Sequence, residues 1–183
     1  MDIEVVIIIA MNIKSYIREV PDWPIKGVNF KDITTLLQDS KTFKYVIDKM
    51  IEPFLNKKID KVVAVDARGF LLATPIAYKI GCGVCLVRKK GKLPFKTIEK
   101  SFKKEYGFDV LTMHQDTIVK GEKILIVDDV IATGGTIDTT VKLVKRLGGE
   151  IVGISSIIDL PFLGGSKKLE KYHLHYLVSY DEE

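Results

Sequence analysis

Five uninterrupted aliphatic runs constrain the fold of this chain more than any other feature. They are KVVAVD (61–66), GVCLVR (83–88), KILIVDD (123–129), IVGISSIID (151–159) and HLHYLVS (173–179). Strands with one solvated face alternate apolar and polar residues, whereas continuous apolar runs are typical of strands that are covered on both faces. We therefore expect a buried sheet at the centre of the molecule.

Helical patterns separate several of these runs. Residues 69–81 follow the first strand and end in Gly81, and residues 40–56 and 136–149 each carry one apolar face, formed by Phe43, Val46, Ile47 and Met50 and by Ile137, Val141, Val144 and Leu147. Strands that alternate with helices in short succession indicate an α/β fold. We expect a mainly parallel twisted sheet flanked by helices, in a single domain over residues 1–183.

Two segments do not fit this alternation. Residues 21–33 (PDWPIKGVNFKDI) are rich in Pro and Gly and predict an irregular flap. Residues 89–122 form a long, basic connection between two core strands. Because long connections inside compact domains are usually functional, we expect this one to act as a lid.

Composition narrows the class of protein. The formal charge of +4 permits an anionic small ligand but is too small to indicate nucleic acid. No apolar run approaches the roughly 20 residues that span a bilayer, so we expect no membrane partner and a cytoplasmic location. Cys82 and Cys85 are three residues apart near one strand, where their side chains point to opposite faces, so a redox or zinc role is not favoured.

The run ILIVDDVIATGGT (124–136) combines two carboxylates, Asp128 and Asp129, with a loop that suits an anion. Ligands of open α/β sheets bind beyond the carboxyl ends of the strands, and free N–H groups at a helix start bind phosphate. Ionised carboxylates accept hydrogen bonds from hydroxyl groups. A sugar phosphate satisfies both halves, although an acidic turn that merely precedes a helix remains an alternative at this point.

The segment VDDVIATGGT resembles the phosphoribosyl-pyrophosphate signature of the type I phosphoribosyltransferases. Further segments resemble the members of that family that act on adenine and follow the family's order from about Ile13 onward: PDWPIKGVNFKDI, VDARGF, VRKKGKLP and EYG. The resemblance implies a type I phosphoribosyltransferase fold, with a small N-terminal hood over the base at about 11–35 and a long flexible catalytic loop at about 92–117.

The implied reaction is a step of purine salvage. The 5-phosphoribosyl group of phosphoribosyl pyrophosphate is transferred to N9 of adenine, which gives AMP and pyrophosphate. The resemblance also implies Mg²⁺, held mainly by the substrate and water rather than by protein ligands, and a homodimer.

The resemblance assigns the two ends of phosphoribosyl pyrophosphate to different segments. Asp128 and Asp129 would hold the ribose hydroxyls and stabilise its growing positive charge, and the 5-phosphate would lie on Ala132, Thr133, Gly134, Gly135 and Thr136. Pyrophosphate would lie on Asp66, Ala67, Arg68, Arg88, Lys89 and Lys92, with Arg88 and Lys92 favoured among the basic run and Arg68 counted as catalytic. A non-proline cis peptide is expected between Asp66 and Ala67, where many relatives carry Ser in place of Ala67.

The remaining expected site residues lie in the flap (21–33) and in the long basic connection (89–122). Glu105 would manage the proton of the purine and Tyr106 would close over the site, although Lys104 replaces an aliphatic residue of the family pattern. Adenine would stack on Phe30 and be recognised by backbone groups of Asn29 and Lys31.

Two alternatives remain open from the sequence. One is a regulatory protein that binds phosphoribosyl pyrophosphate without catalysis, for which the chain offers no added DNA-binding domain and keeps Glu105. The other is a phosphoribosyltransferase for hypoxanthine or xanthine, against which the N-terminal flap and VRKKGKLP count.

Overall fold

The computed structural model of the protein describes residues 11–103 and 107–182. The described residues up to Lys44 form one compact unit and those from Tyr45 onward form another. The boundary falls within helix α2 (Ser40–Ile51), and the predicted hood of about residues 11–35 falls inside the first unit.

The first unit is built on a two-stranded antiparallel ribbon. Strand β1 (Arg18–Val20) pairs with β2 (Phe30–Asp32), and Val20 lies opposite Phe30. A 3-10 helix (Ile13–Tyr16) precedes the ribbon, and α1 (Thr34–Gln38) follows it. The irregular flap predicted for residues 21–33 is therefore correct up to residue 29, whereas its last residues form a strand.

The second unit contains a seven-stranded sheet with a parallel centre. The five aliphatic runs form strands β3 (Lys61–Val65), β4 (Gly83–Lys89), β7 (Lys123–Ile131), β8 (Glu150–Asp159) and β9 (Leu174–Ser179), as predicted. With β5 (Thr97–Lys103) and β6 (Phe108–His114) the order across the sheet is β5-β6-β4-β3-β7-β8-β9. The pairs β3–β4, β3–β7, β7–β8 and β8–β9 are parallel.

Helices follow the two central strands. Helix α3 (Arg68–Ile80) follows β3 and buries Leu72 and Ile76, and α4 (Gly135–Arg146) follows β7. Ile137, Val141 and Val144 of α4 are buried in one core with residues of β3, β4, β7 and β8, which confirms the predicted apolar face. Helix α5 (Gly165–Leu169) and a 3-10 helix (Pro161–Leu163) connect β8 to β9, and another 3-10 helix (Glu52–Phe54) follows α2.

The long basic connection differs from the expectation. Much of it is a hairpin of β5 and β6, in which Thr97 lies opposite His114, and β6 pairs antiparallel with β4 at the edge of the sheet. Ile98, Leu111 and Met113 are buried in the core that also contains the α4 side chains. The sequence predicted no strands in this segment, because abundant surface lysines obscured the buried positions between them. Its predicted mobility stays a prediction.

Two further expectations concern membrane-spanning helices and the cysteine pair. Among the helices of the described residues, none is long and apolar enough to cross a membrane. Cys82 and Cys85 are both free thiols, and burial raises the pKa of each above its ordinary value. Thiols that stay protonated are poor nucleophiles and poor metal ligands.

Candidate active site

The predicted site residues that follow β3, and those at the end of β7 and in the loop after it, meet at one edge of the sheet. These strands are adjacent and parallel, with Ala64 opposite Val127, so the turns that follow them leave the sheet side by side. A cavity of about 330 Å³ lies at this edge. Its lining consists of Val65, Asp66, Ala67, Arg68, Asp128, Asp129, Val130, Ala132, Thr133, Gly134, Gly135, Thr136 and Ile137.

We call residues 132–136, which join β7 to α4, the phosphate loop. Gly134 is the N-cap of α4 with φ of 70° and ψ of 2°, a left-handed conformation that a residue with a side chain adopts only with strain. No side chain caps this helix start. The N–H groups of the first turn have no partner inside the helix, so they can bind an anion, and the positive end of the helix dipole favours one.

The two carboxylates differ in their surroundings. Asp129 is only 4% exposed, and Arg68 donates from Nε to its Oδ2 at 2.5 Å. Asp128 borders the cavity and its Oδ1 accepts the N–H of Asp129 at 3.0 Å. Burial raises the pKa of Asp128 well above its ordinary value, and the adjacent negative charge of Asp129 raises it further. The cavity therefore holds one carboxylate neutralised by Arg68 and another that takes up a proton more readily.

The turn after β3 brings cations to the cavity. The peptide bond between Asp66 and Ala67 is cis, as expected, and Arg68 is the first residue of α3. Arg88 at the end of β4 donates from Nε to Asp66 Oδ2 at 2.8 Å and from Nη1 to the carbonyl of Lys92 at 3.1 Å. Each arginine is thus held by an aspartate of the same edge of the sheet.

The basic residues of the segment VRKKGKLP differ in their distance from the cavity. Lys89 and Lys92 are exposed and do not line the cavity, and the Lys89 ammonium lies 3.4 Å from Asp109 of β6. Lys90 pairs with Glu99 at 2.8 Å across the hairpin. The geometry therefore links Arg88 to the cavity, through Asp66, more directly than it links the lysines.

Gly69 lets α3 approach β7 closely. A Cβ built at Gly69 would lie 3.2 Å from Asp128 Oδ1 and 3.2 Å from the carbonyl oxygen of Val127. Any side chain there would press on the carboxylate that lines the cavity. Gly69 belongs to the segment VDARGF, which the sequence analysis assigned to the pyrophosphate site. Its packing role was not predictable from that segment, because it depends on the neighbouring strand β7.

The predicted adenine-binding residues lie in the first unit. The rings of Phe30 and Trp23 meet edge to face with centroids 4.4 Å apart. Lys31 is buried, and Glu19 Oε2 accepts hydrogen bonds from Lys31 Nζ at 3.0 Å and Asn29 Nδ2 at 2.7 Å. The hydrogen bonds from Asn29 and then Lys31 lower the pKa of Glu19. Glu19 thus organises this segment, and no pattern in the sequence had singled it out.

The catalytic residues expected in the lid, Glu105 and Tyr106, lie outside the described residues, as does Lys104. The last described aromatic residue before them, Phe102 of β5, packs against the start of α4. A Cβ built at Gly135 would lie 3.1 Å from its ring. The hairpin that leads to Glu105 therefore contacts the phosphate loop directly.

The chain is similar in sequence and in fold to known proteins. The family described as phosphoribosyl transferase domain matches residues 32–181. An adenine phosphoribosyltransferase of Clostridium botulinum is 53% identical over 171 residues, which is 93% of this chain and 99% of that protein. The chain belongs to the adenine phosphoribosyltransferase family.

Solved structures of adenine phosphoribosyltransferases show the same fold. The enzyme of Thermoanaerobacter pseudethanolicus has a TM-score of 0.89 and 45% identity, covering 92% of this chain and 98% of that one. The Saccharomyces cerevisiae enzyme, complexed with an imino-altritol bisphosphate and adenine, has a TM-score of 0.86 and 32% identity, covering 91% and 96%. The predicted type I phosphoribosyltransferase fold and the salvage reaction that forms AMP from adenine are thereby confirmed.

Proposed function

We propose that the cavity at the ends of β3 and β7 binds phosphoribosyl pyrophosphate and catalyses its reaction with adenine. The observation that carries this proposal is that a helix start without a side-chain cap and two adjacent carboxylates line one cavity of about 330 Å³. The 5-phosphate accepts hydrogen bonds from the N–H groups of the phosphate loop and from the hydroxyls of Thr133 and Thr136. Asp128 and Asp129 accept hydrogen bonds from the ribose hydroxyls.

Pyrophosphate binds at the other end of the cavity, at the turn of Asp66 and Ala67. Arg68 and Arg88 are each engaged by an aspartate, at 2.5 Å and 2.8 Å. When the substrate binds, its pyrophosphate takes the place of these carboxylates on the arginines, and the ribose hydroxyls take the place of Arg68 on Asp129. Lys89 and Lys92 contribute positive charge from the exposed run. Until the substrate arrives, the ion pairs with Asp129 and Asp66 keep both cations oriented.

Magnesium fits this site as an ion carried by the substrate. Among the described residues, no group of three or more His, Cys, Asp or Glu side chains is arranged to hold a metal. Mg²⁺ in phosphate sites commonly retains waters and binds substrate phosphates with one or two carboxylates. When bound, it supplies positive charge that neutralises the departing pyrophosphate.

The carboxylates also act on the reaction itself. As pyrophosphate departs, positive charge grows on the ribose, and Asp128 and Asp129 provide a fixed negative field beneath it. Glu105 adjusts the proton on adenine as N9 attacks, and Tyr106 closes the site, which keeps water from the activated ribose. Adenine stacks on Phe30 and is recognised by backbone groups of Asn29 and Lys31, a readout that disfavours 6-oxopurines.

A complex with AMP tests the site assignment. The phosphoryl group is expected on residues 132–136, with the ribose hydroxyls against Asp128 and Asp129. A complex with the phosphoryl group elsewhere overturns the assignment.

An activity assay tests the choice of base. Labelled adenine with phosphoribosyl pyrophosphate and Mg²⁺ should give AMP, whereas hypoxanthine and xanthine should give little IMP or XMP.

The cytoplasmic location stays a prediction from the sequence.

We further propose that the chain acts as a homodimer. Exposed apolar side chains of α3 and β4 support a self-association surface: Leu71, Tyr78, Val84 and Leu86. Tyr78 is 90% exposed, which is costly for an aromatic ring in water. Sedimentation velocity should give a dimer for the parent and for Tyr176→Glu on β9, and a monomer for Tyr78→Glu. A dimeric Tyr78→Glu variant contradicts this surface.

A further inference from the structure

Gly165 lies against the phosphate loop although it is about 30 residues away in sequence. It begins α5 and is buried. A Cβ built at Gly165 would lie 2.1 Å from the carbonyl oxygen of Ala132 and 2.7 Å from the backbone nitrogen of Gly134. A Cβ at Gly134 would in turn lie 3.0 Å from the Gly165 Cα. The two backbones are therefore in direct contact, and neither glycine can carry a side chain without displacing the other segment.

The segment that carries Gly165 is anchored on both sides. Leu169 at the end of α5 is fully buried in the core that contains Ile131 and Ile137. The N–H of Leu160 donates to the carbonyl of Ile131 at 2.9 Å, which extends the pairing of β8 with β7 up to the loop. Gly165 is thus part of a fixed surface on which the phosphate loop rests.

A buried carboxylate lies at the base of this segment. Asp159 ends β8 opposite Ile131 and is 1% exposed. Burial raises its pKa. Through its pairing with Ile131, Asp159 fixes the start of the segment that leads to Gly165 against β7.

We propose that Gly165 is a positioning residue for the 5-phosphate of the substrate, and that the buried Leu169 and the pairing of Leu160 with Ile131 hold its segment in place. Its backbone supports Ala132 and Gly134 from behind, so that the N–H groups at the start of α4 face the ligand. This inference rests on the proposed role of residues 132–136. It extends the substrate site to a segment outside the 124–136 motif.

The test compares ligands that occupy opposite ends of the cavity. Gly165→Ala should weaken the binding of ribose 5-phosphate, measured by titration calorimetry, by about tenfold or more, since a Cβ must displace the backbone of the loop. Binding of pyrophosphate with Mg²⁺ should stay unchanged within about twofold. Gly83→Ala is the matched control, because a Cβ there meets only the flexible side chain of Lys61 at 3.5 Å.

A second pair of variants separates failure of this inference from failure of the proposed site. Thr133→Val tests the phosphate loop itself and should also weaken ribose 5-phosphate alone. If Thr133→Val weakens it and Gly165→Ala does not, the positioning role is wrong. If both variants bind ribose 5-phosphate as the parent does, the 5-phosphate site itself is wrong.

Leu169→Val keeps the inference testable if Gly165→Ala does not fold. It shortens the fully buried side chain that anchors α5 and should weaken ribose 5-phosphate binding several-fold, with pyrophosphate binding and the KM for adenine unchanged. A Leu169→Val variant with parental affinity for ribose 5-phosphate, or with equal losses for both ligands, overturns the positioning role.

Discussion

The turn after β3 and the loop after β7 lie side by side at one edge of the sheet, yet they offer a bound anion different groups. Each leads into a helix, α3 or α4, whose start has no side-chain cap. The turn after β3 carries Asp66 and Arg68 and is linked to Arg88. The phosphate loop carries no charged side chain at all. Both connections join a strand to a helix. The connection after β3 offers cationic side chains, whereas the phosphate loop offers only backbone groups and hydroxyls.

In the proposed site, one substrate is held at its two ends by different means. The pyrophosphate end would depend on charge, because its arginines would exchange aspartates for phosphate oxygens. The 5-phosphate end would depend on backbone placement, because Gly134, Gly135 and Gly165 leave no space for side chains. Asp128 and Asp129, the residues proposed to act on the ribose, lie between the two ends.

The largest expected effect is at this centre. Replacing both carboxylates, Asp128→Asn with Asp129→Asn, should lower kcat/KM for phosphoribosyl pyrophosphate by about a thousandfold or more, since both the hydroxyl contacts and the negative field are lost. Steady-state kinetics measure it, with Asp48→Asn, a surface acid of α2, as the control. A double variant with near-parental kcat/KM contradicts the role of these carboxylates.

Glu105→Ala should reduce kcat by about a hundredfold or more while the KM values change little, because proton transfer contributes to the rate and not to substrate binding. This variant leaves both proposed anion-binding ends intact, so it separates the chemical step from substrate binding. The control is Glu99→Ala on β5, whose carboxylate pairs with Lys90 at the surface. An unchanged kcat in Glu105→Ala removes the proposed role of Glu105.

Arg88→Gln removes a positive charge from the proposed pyrophosphate end. It should weaken pyrophosphate binding by about tenfold and leave ribose 5-phosphate unaffected, because Arg88 is linked to the cavity through Asp66, at the end opposite the phosphate loop. The pyrophosphate affinity of the parent should fall with rising salt more steeply than that of the variant. Titration of both ligands at two salt concentrations measures this, with Lys90→Gln as the control. Equal losses for both ligands would show that the two ends are not separate.

The sequence predicted the features that depend on local pattern. Continuous aliphatic runs gave the five parallel strands because burial on both faces leaves a direct trace in composition. The motif at 124–136 and the turn at Asp66 likewise gave the cavity, since the carboxyl ends of adjacent parallel strands must share an edge.

Features that depend on packing between distant segments were not predictable from one sequence. Gly165 gave no local signal, because its need for a bare backbone arises only from Ala132 and Gly134. Glu19 likewise acquires its role through Lys31 across the β1–β2 ribbon. The hairpin of β5 and β6 was missed because its register, and not its lysine-rich composition, decides which side chains are buried.

The smallest expected effect separates the two neighbouring carboxylates by stability. A carboxyl whose pKa is raised by folding binds protons more tightly in the folded state, so its contribution to stability is lost as pH rises through the raised pKa. Asp128→Asn mimics the protonated form. Urea unfolding should therefore show a higher free energy of unfolding than the parent at pH 7, and the difference should shrink as pH falls toward the ordinary pKa of aspartate. Asp129→Asn, which removes the partner of Arg68, should instead destabilise the protein by about 1–3 kcal/mol at pH 7. If both single variants shift stability in the same direction, Asp128 and Asp129 do not differ in the way that their surroundings imply.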